Sequence, residues 1–199
     1  MDVLSTDLAA GVAAALAVTG KAFGPPPAAA PEPRWGALYE ELDPAGDVAF
    51  AVDIELIYEG YLLHYRESRA LSLAAGDLET RLLAGDCFYA RGLRGVAARG
   101  DADAVGLLAR LMAACSFLRA AAAPFAGDDA LWAYTTAGVA AQHAGAAPAS
   151  VAALFDHIEA GFHRERLPDV TAAVAGAVAR LSLPDPAPLL RELEVVAGR

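Results

Sequence analysis

The chain has 199 residues and a mass of 20.4 kDa; 56% of its residues are apolar and 20% charged. That much apolar surface excludes a disordered chain, and the length suits one domain with a sizeable core. The formal charge of −10 and pI near 4.7 speak against nucleic-acid binding and against attraction to anionic membranes, since both need clustered Lys and Arg.

The first residues, MDVLSTD, carry no positive charge of the kind a signal peptide begins with, so a cytoplasmic protein is expected. Leu4, Leu8, Val12 and Leu16 fall at helical spacing and predict a first helix over residues 3–22. The segment GPPPAAAPEP, residues 24–33, cannot continue it, because Pro lacks the backbone donor and clashes with the preceding turn. The expected organisation is an N-terminal helical arm over 1–23, a Pro-rich linker over 24–33 and a single helical domain over 34–199.

After Trp35 the pattern is helical almost throughout. A short turn covers 35–42. Asp47 reads as the N-cap of a helix over 48–69, and Asp77 as the N-cap of one over 78–98. Gly100-Asp101 separates that helix from one over 102–123. Gly127-Asp128 opens the next, to about His143, with Asp128 and Asp129 read as capping groups. Pro148 opens a helix to about His163, Pro168 one to about Leu181, and Pro184 to Pro188 lead into a last helix ending near Val196. Runs of period two flanked by hairpin turns are absent, so the fold class is all-α, an orthogonal or antiparallel helical bundle. Gly92, Gly95, Gly106, Gly138 and Gly176 inside helices suggest close axes or a compositional bias. The stretch from Leu131 to Phe155 has no Asp, Glu, Lys or Arg, but its Gln142, His143, Gly145 and Pro148 fit two bundle helices better than a membrane span. Cys87 and Cys115 lie in apolar helical pattern and read as buried free thiols.

The residues with the most chemical potential lie in DIELIYEGYLLHYRESR, from Asp53 to Arg69. Glu55 and Glu59 stand four apart, a spacing able to hold a cation in a cleft, although a solvated helix face is the preferred reading. Arg66 is then expected to form ion pairs along the helix. Tyr61, His64 and Tyr65 have the composition of a pocket lining, with His64 read as a hydrogen-bonded structural group. Asp156, Glu159 and His163 form a helical stripe that a metal could use, but such stripes are common on helix surfaces, and neither a metal nor a cofactor is expected. The nucleotide-binding, zinc-protease and serine-hydrolase motifs are absent.

Two stretches together carry a family resemblance. In ELIYEGYLLHYRE, the run of Glu55, Leu56, Ile57, Leu62, Leu63 and His64 resembles the helix that leads into the first aspartate-rich motif of the trans-prenyl (polyprenyl) diphosphate synthases. In LLAGDCFYARGLRGVAARGD, Ala84, Gly85, Asp86, Phe88, Tyr89 and Ala90 resemble a later helix of the same family. The resemblance spans about 50 residues and implies a truncated isoprenoid synthase fold. Where the family places its Mg²⁺-binding aspartates, this chain has Tyr65 and Arg66, with Arg69 near the third position. The second aspartate-rich motif is missing as well, and Tyr134 stands where a helix of the family has Lys. A guanidinium cannot hold Mg²⁺, and ionising an allylic diphosphate needs the leaving group neutralised.

The resemblance therefore implies a catalytically inactive member acting as an accessory or interaction subunit, as a homodimer or as a heterodimer with an intact prenyl diphosphate synthase. One alternative is a protein that binds an isoprenoid or another apolar ligand. Another is a metal-independent enzyme that grips a diphosphate through Arg66 and Arg69. The candidate ligand-binding residues are Glu55, Tyr58, Glu59, Tyr61, His64, Tyr65, Arg66, Arg69, Asp86 and Tyr89. With the metal ligands gone, Asp86 is expected to be at least partly buried and paired with Arg66, His64 or Tyr61, Gly85 letting the two helices approach and Tyr89 packing on the same helix.

Overall fold

Asp47 and Asp77 each present a short acceptor ahead of an apolar-rich segment, and each starts a helix. The Asp47 side chain accepts a hydrogen bond from the Ala49 amide at 2.9 Å, and that of Asp77 from the Thr80 amide at 3.3 Å. In the computed structural model, which describes residues 3–26, 31–74, 76–147, 149–153, 155–156, 181 and 183–197, the fold is all-α, and no strand occurs among the described residues. The helices are α1 (Val3–Gly20), α2 (Trp35–Leu42), α3 (Val48–Tyr65), α4 (Leu78–Ala98), α5 (Ala102–Ala120), α6 (Phe125–His143) and α7 (Ala187–Ala197). Residues 149–153 and 155–156 are also helical. The helix expected from Pro168, and the Glu159 and His163 of the candidate metal stripe, lie outside the described residues.

The chain forms two compact units, Met1–Ala37 with Asp47–Ala102, and Leu38–Gly46 with Asp103–Arg199. At the centre of the first is α3. Its apolar residues are spread around the whole circumference, which suits a helix enclosed on all sides. Every residue from Ile54 to Leu63 is buried, as are Phe50 and Ala51. Against it lies α1, through Leu8, Val12 and Leu16, all buried. On another side lies α4, which buries Ala84, Gly85, Phe88, Gly92 and Val96.

The contact between α3 and α4 is close enough to require glycine. A methyl group on Gly92 would stand 2.5 Å from the Ile57 side chain and 2.7 Å from the Asp53 carbonyl oxygen, and one on Gly60 would stand 2.8 Å from the Tyr89 ring. Near the C-terminal end of α4, Arg99 fastens the pair. Its Nε lies 2.8 Å from Asp47 and its guanidinium also reaches Asp53 at 2.6 Å.

In the second unit the central position belongs to α6, buried at every residue from Gly127 to Ala141. It packs with α7, which buries Leu189, Leu193 and Val196. The buried side of α5 carries Leu107, Leu108, Leu111, Cys115 and Leu118. Gly138 admits Val151, whose Cγ1 would lie 2.9 Å from an added methyl. The charge-free stretch from Leu131 is thus the greater part of α6, a turn and the helical residues after it, as expected, and no helix among the described residues is long and apolar enough to cross a membrane.

Several expectations need correction. The α3 helix stops at Tyr65 rather than Arg69, because Arg66 turns to an extended conformation. Asp128 and Asp129 are not caps: α6 starts earlier, after Pro124, and both are buried inside it. The Asp128 carboxylate lies 2.8 Å from Arg119 Nε, which neutralises it. Cys115 is buried, but Cys87 is exposed, on the side of α4 away from α3.

The glycine contacts give a contrast that denaturant unfolding can check. Gly→Ala in a helix interior ordinarily gains about 1 kcal/mol. Gly106 has open space around it, so Gly106→Ala is expected to stabilise by up to about that amount. Gly92→Ala meets backbone as well as side chain and is expected to destabilise by about 1–3 kcal/mol despite the same propensity gain.

Candidate functional site

The ten candidate residues form two clusters along the C-terminal half of α3. The first is built on Glu55 and Glu59. Because α3 is enclosed on all sides, neither glutamate reaches water, and both are 0% exposed. The solvated-face reading is therefore wrong for this pair. A buried carboxylate needs a countercharge and hydrogen-bond donors, and both glutamates have an arginine and backbone amides against them.

Glu55 Oε1 accepts from the backbone amides of Arg34 and Gly36, each at 2.7 Å. These amides sit at the start of α2, where the first turn has no intrahelical acceptors. Glu55 thus caps α2 from another helix. Glu59 Oε1 accepts from Ser68 Oγ at 2.7 Å, the Arg69 amide at 2.9 Å and the Ala70 amide at 3.1 Å. This holds the 66–71 segment in its non-helical path and accounts for the end of α3 at Tyr65.

A single guanidinium serves both acids. Arg69 NH2 lies 2.9 Å from Glu55 Oε2, and Arg69 Nε lies 3.2 Å from Glu59 Oε2. Its NH1 donates to the Glu32 carbonyl at 3.0 Å, and its Cζ stands 4.7 Å from the centre of the Tyr58 ring. Burial alone would depress the Arg69 pKa; the charges of Glu55 and Glu59 outweigh it and hold the group above its ordinary value. Tyr58 is buried and packs edge-on against Trp35, 5.8 Å between ring centres.

The second cluster faces α4. The Tyr61 ring stacks on Tyr58 at 5.9 Å and approaches Tyr65 at 5.4 Å. Arg66 lies over Tyr61 at 5.7 Å, and its carbonyl accepts from Arg81 at 2.6 Å. His64 stacks on Tyr89 with ring centres 5.2 Å apart, and its Nε2 lies 3.2 Å from Asp86 Oδ1. The expected approach of Gly85 and Tyr89 to α3 is observed. Asp86 is paired across the helices, but with His64 rather than Arg66, and its side chain is 73% exposed. The expected burial of Asp86 is therefore incorrect. The α4 position that points at α3 is that of Gly85, where a methyl would come within 2.7 Å of the His64 ring, and Asp86 is turned outward.

Arg34, Gly36, Ser68 and Ala70 complete the first cluster, and no sequence pattern singles them out. The available clue is that a helix apolar around its whole circumference cannot solvate two glutamates. The ion pairs to Glu55 and Glu59 come from Arg69. Among the described residues no group of three or more His, Cys, Asp or Glu is placed to hold a metal ion. The cation between Glu55 and Glu59 is the guanidinium itself. No known family, curated protein or solved structure matches this chain.

The two arginines should separate cleanly in a stability measurement. Arg69→Ala leaves two buried carboxylates without a countercharge and is expected to destabilise by about 3–5 kcal/mol. Arg66→Ala leaves both buried carboxylates paired with Arg69 and is expected to cost less, about 1 kcal/mol. Urea unfolding of the two variants beside the wild type checks this ordering.

Proposed function

We propose that the chain is a catalytically silent, prenyl-synthase-like protein that works in the cytoplasm as an accessory subunit, pairing with a second copy or with an intact prenyl diphosphate synthase. The observation that carries this reading is the state of the acids on α3. After His64, where the resemblance calls for metal-binding aspartates, stand Tyr65 and Arg66. The two glutamates upstream are sealed under Arg69 and consumed by backbone amides. A diphosphate leaving group would find neither a metal site nor a free acid there.

The two stretches that carry the resemblance also lie against each other, His64 with Asp86 and Tyr89, and Gly60 with Gly85 and Tyr89. The alternative of a metal-independent enzyme loses support because Arg69, half of its diphosphate grip, is bound to Glu55 and Glu59. The apolar-ligand alternative loses support because Tyr58 and Tyr61 are packed into the core of the first unit.

Two measurements on the full chain test the proposal. Calorimetry with farnesyl diphosphate is expected to show no Mg²⁺-dependent binding and no turnover by the chain alone. Mixed with an intact prenyl diphosphate synthase from the same organism, the chain is expected to co-elute and to change the length of the product. Turnover by the chain alone, or a synthase whose elution and products are unaffected, would contradict the reading.

A further inference from the structure

We draw no further inference here: the strongest candidate, the apolar outer face of α5 along which Gly106, Ala109, Ala113 and Phe117 are exposed, carries nothing because no feature of the structure shows what covers it.

Discussion

Two carboxylates buried in the middle of an apolar helix set the terms for the first unit. Glu55 and Glu59 are enclosed because α3 is surrounded, and α3 is surrounded because its apolar residues face every direction. Once enclosed, each acid must find donors and a positive charge, or the unit would lose several kcal/mol for each stranded charge. The partners lie outside α3, at the entry to α2 and in the segment after Tyr65. Satisfying the two glutamates therefore fixes where α2 begins, where α3 ends and how the chain turns toward α4. Arg69 ties these consequences together, since one guanidinium binds both acids, the Glu32 carbonyl and the face of Tyr58.

The same arrangement decides what chemistry remains. Buried ion pairs of this kind contribute little net stability compared with well-packed apolar groups, and removing one member is what costs. Their effect here is to specify a path for the backbone. Enclosed in the core and engaged by backbone amides, a hydroxyl and one arginine, neither acid is placed to take a substrate proton or a metal ion. At the α3–α4 contact His64 lies against Asp86 and stacks on Tyr89, and Arg81 donates to the Arg66 carbonyl.

Local features are readable from the sequence alone. Asp47 and Asp77 announce the starts of α3 and α4, because an N-cap acts through its own next two or three residues. The spacing of Leu8, Val12 and Leu16 marks the packed side of α1. The bounds of α4 are set by Asp77 and Gly100. Non-local features are harder to see. Whether Glu55 and Glu59 are solvated depends on how many neighbours surround α3, and charge spacing within one helix does not report that. The partners of Glu55 are 19 and 21 positions earlier in the chain, so no local pattern marks them. Arg66 and Arg69 look equivalent in sequence; they differ because the helix ends at Tyr65 and the next residues take a new direction. Asp86 looks inward-facing because it stands beside Gly85, but adjacent helical positions point about 100° apart. Asp128 resembles a cap because Gly127 precedes it, while the helix already begins at Phe125.

Hydrogen exchange at individual amides tests the central role of the two glutamates most directly. Gly36, Arg69 and Ala70 lie in a first helical turn or in a loop, where amides ordinarily exchange quickly. If Glu55 and Glu59 organise the unit, these three amides will exchange as slowly as those in the middle of α3. In Glu59→Gln, Arg69 and Ala70 will lose protection, and Gly36 will keep more of its own. Rapid exchange at all three in the wild-type protein, with α3 fully protected, would show that the buried carboxylates do not hold the surrounding chain and would contradict the account.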